Sequence, residues 1–164
     1  MHDPALSTAQ HRELIEALAL SHVLPHDTLP VEECLGRRLA VDVFSLIPLP
    51  PFTNSAMDGF AVRREDLEGE GPWTLPVAGD IPAGDTRDNR LEKGQAWRIM
   101  TGAPIPEGAD TVVKVEHTDH AAGIAQAPNT VEIRVAPKLG ANVRVAGEAL
   151  KAGSPVLEAG RILD

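Results

Sequence analysis

The chain has 164 residues, enough for one domain of ordinary size or two small ones, each with a core. Its formal net charge of −9 argues against a general nucleic-acid surface, because phosphate binding normally requires a basic patch. The single cysteine, Cys34, excludes an internal disulfide framework, and the N-terminus has no apolar run of membrane-spanning or signal-peptide length. We therefore expect a cytoplasmic protein without nucleic-acid or membrane partners.

The N-terminal segment predicts one amphipathic helix. Ser7 or Thr8 is a suitable N-cap, and the helical pattern continues to about Ser21. The apolar residues that share one helical face are Leu14, Ile15 and Leu18. Two prolines then interrupt the pattern, and a brief helical turn is predicted over 32–35, ended by Gly36.

The rest of the chain predicts a compact β domain. Short apolar runs are separated by Gly, Pro, Asp or Asn, which is typical of short strands joined by turns. These runs are 39–43, 60–62, 74–78, 96–100, 111–115 and 131–135. The segment 141–164 alternates apolar and polar residues around three glycines, and we expect it to pair with the early part of the chain.

The segment 48–62 predicts a shaped loop between two strand-like runs. Pro48 to Pro51 should be extended and stiff, and should place Asn54, Ser55 and Asp58 in defined positions. Asp58 followed by glycine is also typical of a simple turn. Ser55 and Asp58 have the spacing of a capping box, which would serve a helix start and need no ligand.

A second polar loop lies within 98–113 and is again flanked by apolar residues. The hydroxyl of Thr101 and the flexible backbone of Gly102 could approach an oxyanion or a phosphate as neutral donors. The alternative is a turn that ends a strand, with the hydroxyl bonded locally. Glu107 and Asp110 also fit a solvated turn, so they are weaker candidates than Asp58 and Thr101.

Two strings in these loops, Asn-Ser-Ala-Met-Asp-Gly and Thr-Gly-Ala-Pro-Ile-Pro-Glu-Gly-Ala-Asp, closely resemble the molybdopterin molybdenumtransferase family of MoeA and gephyrin E-domain proteins. The resemblance implies a mainly β fold with an N-terminal helix (α+β). It implies a discontinuous, elongated first domain, residues 1–45 and 141–164, with a small β domain, 46–140, inserted. The α/β molybdopterin-binding domain and the C-terminal β domain of the family are not in this sequence, so we expect an excised N-terminal portion or a shortened member.

The resemblance also implies a function in molybdenum cofactor biosynthesis, the insertion of molybdate into adenylylated molybdopterin. Asp58 and Thr101 are the catalytic residues that it implies, and Asp58 is also the expected Mg²⁺ ligand. The residues expected to bind substrate are Asn54, Ser55, Gly102 and Arg144. A homodimer and molybdopterin adenylyltransferase as a pathway partner are further expectations, and the chain alone is expected to be inactive.

The sequence departs from the family pattern in 140–149. Of the family's cluster of arginines only Arg144 clearly remains, and Ala149 stands where an acidic residue is expected. Losing arginines removes bidentate phosphate donors, and losing a carboxylate removes a metal ligand, although Glu148 could replace it in part. This departure keeps open an alternative function, a non-catalytic dimerisation or interaction module of the same family.

Overall fold

The computed structural model describes residues 6–22, 25–121, 123 and 126–164. Contacts divide the chain into two compact units. The smaller unit comprises Met1–Val43 and Leu157–Asp164, and the larger comprises Phe44–Val156. The predicted boundaries at 45/46 and 140/141 follow the family resemblance and stay a prediction. In the structure, residues 141–156 have their contacts within the larger unit.

The smaller unit contains the predicted helix, α1, over Thr8–Ser21. Ser7 is its N-cap, because the Ser7 side chain accepts from the backbone of Gln10 while the Gln10 side chain accepts from the backbone of Ser7. A 3-10 turn over Val31–Glu33 follows, and Gly36 adopts the left-handed conformation after it. No helix in the described ranges has both the length and the apolar character needed to cross a membrane.

The run 39–43 was predicted as a strand, and this prediction was wrong for most of its length. Only Val43 belongs to a strand, β1 (Val43–Phe44). Leu39 exchanges backbone hydrogen bonds with the turn at 160–161, but the chain bends at the next two residues. Asp42 then accepts from the backbone of Ala159 through its side chain, so the ladder does not continue.

The larger unit confirms the five other predicted runs as one five-stranded sheet. Its strands are β3 (Gly59–Val62), β4 (Trp73–Ile81), β5 (Ala96–Ile99), β6 (Thr111–Lys114) and β7 (Thr130–Ile133). The order across the sheet is β6-β3-β5-β4-β7, and β4 with β5 is its parallel pair. Three short strands complete the set, β2 (Asn54–Ser55), β8 (Val143–Arg144) and β9 (Pro155–Leu157).

Around β3 the sheet is buried on both faces, because successive side chains of a strand point to opposite faces and both sets are covered there. Phe60 and Val62 lie in one apolar cluster with Val113 and Ile133. Ala61, between them in β3, lies in a second cluster with the side chains of Ile81, Ile99 and Val112. Every residue of β3 is therefore buried, and this strand holds whatever precedes it in a fixed place.

Pairing between the early part of the chain and the segment after 141 is confirmed by the bonds of Leu39 with the turn at 160–161 and by the pairing of β1 with β9. The segment 142–150 pairs in addition with residues 49–55 of the larger unit. β2 and β8 are antiparallel, with Asn54 opposite Arg144. Leu49 forms a bridge with Leu150, and Gly147 donates to the backbone oxygen of Pro50. The loop that begins at Pro48 is thus fixed on one side by the segment 142–150.

Candidate active site

The two polar loops meet because the strands attached to them are neighbours in the sheet. β3 and β5 are antiparallel, with Gly59 opposite Ile99, so the residue before β3 lies beside the residues after β5. Asp58 directly precedes β3, and Thr101 lies two positions beyond the end of β5. The sheet therefore brings together Asp58 and Thr101, the two strongest candidates from the sequence.

Asp58 and Thr101 form a direct contact. Thr101 donates both its backbone N–H and its hydroxyl to Oδ1 of Asp58, at 2.7 and 2.6 Å. These two bonds, the hydroxyl first, lower the pKa of Asp58; burial opposes them, and the charge of Arg98 makes the smallest contribution to the lowering. The carboxylate is thus ionised at neutral pH, and one of its oxygens is held in place by Thr101.

Two glycines shape this contact. A Cβ on Gly59 would lie 1.9 Å from the backbone oxygen of Val113, so β3 and β6 approach closely only with glycine there. Gly102 has a φ of 81° and donates its N–H to the backbone oxygen of Ser55. Its N–H is therefore used within the protein, and the predicted donation from Gly102 to a substrate stays a prediction.

Asn54 and Ser55 hold the two loops against each other. Ser55 donates its N–H to the backbone oxygen of Ala103, and Asn54 forms a bridge with Pro104. Their side chains are buried and bonded to nearby backbone, Asn54 to the oxygen of Phe52 and Ser55 to the oxygen and nitrogen of Met57. No helix starts in this described segment, so the capping-box alternative is wrong, while substrate binding by this pair stays a prediction.

Arg98 is a residue of this site that the sequence analysis did not select. It lies in β5 opposite Phe60 on one side and Asp80 on the other, and it is only 9% exposed. Its Nη1 donates to Oδ2 of Asp80 at 3.1 Å. An arginine in a short apolar run is typical of a solvent-facing strand residue, and only the register of β4 against β5 reveals the partly buried ion pair.

Asp58 and Arg98 line the same small cavity, together with Met100 and Val115. Its volume of about 10 Å³ holds roughly one water molecule, so the described residues do not enclose a large ligand here. The backbone of Asp58 is fixed here as well, because its oxygen accepts from the N–H of Val115.

The other predicted residues lie outside this cavity. Arg144 is exposed on β8, and its guanidinium has no ion-pair partner within the described part of the chain. Glu148 accepts from the N–H of Val145 at 3.0 Å, so its carboxylate stabilises a local turn beside Ala149. Asp110 accepts from the backbone of Arg64 through its side chain and belongs to a different surface.

The described residues could hold Mg²⁺ only in a site that water and substrate complete. Among residues 6–22, 25–121, 123 and 126–164, no three His, Cys, Asp or Glu side chains cluster as ligands of one metal ion. Asp58 offers one ionised carboxylate, with Oδ1 already accepting two bonds. Mg²⁺ commonly takes one or two carboxylates and completes its shell with water and substrate phosphates, so Asp58 suits such a site but not an all-protein cage.

Comparison with known proteins shows the family. The profile described as "MoeA N-terminal region (domain I and II)" matches residues 6–164. Molybdopterin molybdenumtransferase 2 of Mycobacterium tuberculosis is 45% identical over 139 residues, which are 83% of this chain and 33% of that protein. Molybdopterin molybdenumtransferase of Staphylococcus epidermidis is 37% identical over 153 residues, 91% of this chain and 35% of that protein.

Solved structures agree with these relatives. The crystal structure of the molybdopterin biosynthesis protein MoeA from Pyrococcus horikoshii matches with a TM-score of 0.76 at 31% identity, covering 93% of this chain and 38% of that chain. The chain spans about a third of the length of the curated relatives that it matches. It belongs to the MoeA family of molybdopterin molybdenumtransferases and corresponds to their N-terminal region.

Proposed function

We propose that this chain supplies one wall of the active site that inserts molybdate into adenylylated molybdopterin. In this reaction molybdate is inserted into the pterin and the nucleotide is released. The observation that carries the proposal is the Asp58–Thr101 contact at the meeting point of the two family strings. Two loops far apart in sequence are held together so that one ionised carboxylate faces a cavity that also contains Arg98.

In this proposal Asp58 and Thr101 have different tasks. Asp58 positions the reacting oxygens, and it would hold Mg²⁺, which when bound supplies positive charge to substrate phosphates. Thr101 keeps Oδ1 of Asp58 in place, since both of its donors are directed at that atom. Donation from Thr101 to an oxyanion would require its hydroxyl to leave Asp58.

Arg144 would meet the negative charge of the substrate from β8, next to Asn54. Because its guanidinium is exposed and lies outside the cavity of Asp58, we propose that it contacts the phosphate of the nucleotide and not the reacting atoms. A homodimer in the cytoplasm and molybdopterin adenylyltransferase as the source of the substrate complete the proposal.

The test is molybdate insertion by the protein expressed from its native reading frame. Asp58→Ala and Asp58→Asn should both abolish insertion and leave the circular dichroism spectrum unchanged. Asp88→Asn is the matched control, because Asp88 is an exposed carboxylate of the same unit, and it should retain full activity. Retained insertion in Asp58→Ala would remove this carboxylate from the mechanism.

A second function, a non-catalytic interaction module, is favoured by one observation. Ala149 replaces the acidic residue expected from the family, and the neighbouring carboxylate of Glu148 stabilises a turn. Isothermal titration with adenylylated molybdopterin and molybdate separates the two functions. A native protein that binds a protein partner but neither ligand would support the module, whereas ligand binding that Asp58→Ala weakens would support the transferase.

A further inference from the structure

The ion pair of Arg98 and Asp80 lies close to the Asp58–Thr101 contact, because Arg98 and Asp58 line the same small cavity. β5 ends at Ile99, and Thr101 follows two residues later, so Arg98 is the last charged residue before the loop. In the sheet register Arg98 lies opposite Asp80 of β4 and opposite Phe60 of β3. The Arg98 side chain therefore links β5 to β4 near the end of β5 from which Thr101 projects.

Because the Arg98–Asp80 ion pair is partly buried, its stability depends on the exact placement of the two side chains. The Arg98 side chain is 11% exposed, and the partly covered Asp80 side chain has one oxygen, Oδ1, that is buried without a hydrogen-bond partner. Charges removed from water are stable only when their partners are well placed, and loss of one partner leaves the other uncompensated. The conformation of the end of β5 is thus tied to the position of the Arg98 guanidinium.

We propose that Arg98 is a positioning residue of this site: paired with Asp80, it fixes the end of β5 so that Thr101 can hold Asp58, and it presents a positive charge to the cavity that Asp58 lines. The side chain does not need to touch substrate for this role. The cavity holds about one water molecule, and the Nη1 atom of Arg98 already binds Asp80. Arg98 affects catalysis only if Asp58 acts in the transfer proposed above, whereas its effect on the Thr101 contact is independent of that reaction.

The first measurement therefore does not use activity. In the 164-residue chain, the amide of Thr101 donates to a carboxylate, and its proton shift and exchange rate in NMR spectra report that bond. Arg98→Met should move the Thr101 amide resonance upfield and accelerate its exchange. Arg98→Lys, which keeps the charge, should restore part of both, and Asp80→Asn should show a smaller change in the same direction as Arg98→Met.

Arg134→Met is the matched control. Arg134 is paired with Glu132 through Nε at 3.2 Å, but its side chain is 58% exposed and its hydrogen bond lies within its own chain segment at the β7 edge. This variant should leave the Thr101 amide unchanged. A change as large as that of Arg98→Met would mean that any arginine loss disturbs the sheet, and it would overturn the specific role of Arg98.

The second measurement is kinetic and uses the native protein. Arg98→Met should lower kcat for molybdate insertion roughly 10- to 100-fold, as is typical for residues that support a functional ligand, with a smaller change in KM. Arg98→Lys should recover part of kcat. A wild-type protein without insertion activity would refute the proposed function alone, since the Thr101 amide would still report the positioning role.

Two results would overturn the positioning role itself. In the first, Arg98→Met lowers stability while the Thr101 amide and kcat per folded molecule remain those of the wild type. The second result applies if Arg98→Met does not fold. The positioning role is then overturned if the Thr101 amide is unchanged in both Arg98→Lys and Asp80→Asn.

Discussion

The two units of this chain are stabilised by different kinds of interaction. In the larger unit, every residue of β3 is buried, and the sheet is covered by apolar side chains on both faces. In the smaller unit, none of the described residues is buried, and the apolar residues Leu14, Ile15 and Leu18 of α1 are at least half exposed. The larger unit is therefore held by burial, while α1 is held by local bonds such as its capping box.

This difference explains where the candidate site lies. Asp58 and Thr101 are attached to the ends of β3 and β5, two of the three interior strands of the sheet. A functional carboxylate needs a support that does not move, and packed strands supply it. The site is thus built on the unit in which side-chain packing fixes the backbone.

The largest expected effect is the loss of a core side chain from the sheet. Phe60→Ala should reduce the free energy of unfolding by about 3–5 kcal/mol, because a fully buried ring is replaced by a cavity. Leu20→Ala in α1, at a side chain that is 87% exposed, should change it by less than about 0.5 kcal/mol. Both tryptophans lie in the larger unit, so urea denaturation followed by tryptophan fluorescence measures the first effect and circular dichroism at the helix band measures the second. Equal effects would contradict the comparison of the two units.

The next effect concerns the close approach of β3 and β6. Gly59→Ala should cost about 1–3 kcal/mol, because its Cβ would overlap the backbone oxygen of Val113 and the strands would have to separate. The shift should reach Asp58, one residue earlier, and weaken its bond with Thr101. Thermal unfolding measures the first effect, and the Thr101 amide resonance measures the second. An unchanged melting temperature would show that the strands can move apart freely.

Much of the sheet could be predicted from the sequence because short apolar runs between turn residues report burial directly. Five of the six predicted runs are strands of one sheet. The run 39–43 failed because an apolar run does not reveal whether a partner strand continues beside it. Here the partner is the turn at 160–161, and the chain bends after Leu39.

The candidate site could be predicted from the sequence only in part. The family strings led to Asp58 and Thr101, but sequence could not predict that both Thr101 donors bind one carboxylate oxygen. Arg98 was missed because its burial depends on the register that places it opposite Asp80. Pairings between strands are long-range facts, and composition near a residue carries no information about them.

A smaller effect on stability is expected in α1, which is stabilised by local hydrogen bonds and not by burial. Ser7→Ala removes the acceptor for the N–H of Gln10 and should cost about 1 kcal/mol of helix stability. Amide exchange at Gln10 and His11 should accelerate, because the first turn of the helix frays. Thr8→Ala, next to the cap, is the control and should leave these rates nearly unchanged. Slow exchange in Ser7→Ala would mean that α1 is stabilised by packing after all.

The smallest effect on stability is expected at Thr101, at the rim of the sheet. Thr101→Val removes the hydroxyl donor and keeps the backbone N–H donor, so it removes the largest of the causes that lower the pKa of Asp58. The pKa should rise towards the ordinary value of about 3.9. A carbon-detected NMR titration of the Asp58 carboxyl measures this directly, and Thr53→Val is a control whose hydroxyl contacts Ala146 and not Asp58.

The sign of the pH dependence follows from the lowered pKa. An aspartate with a lower pKa in the folded state stabilises that state above its ordinary value of about 3.9, and this contribution is lost as the pH falls through the lowered pKa. Near neutral pH, Thr101→Val should therefore be less stable than the wild type, by at most about 1 kcal/mol because the carboxylate is largely solvated. The difference should shrink as the solution is acidified below the ordinary pKa. A difference that stays constant down to the lowest pH would mean that the hydroxyl stabilises the fold without acting on Asp58.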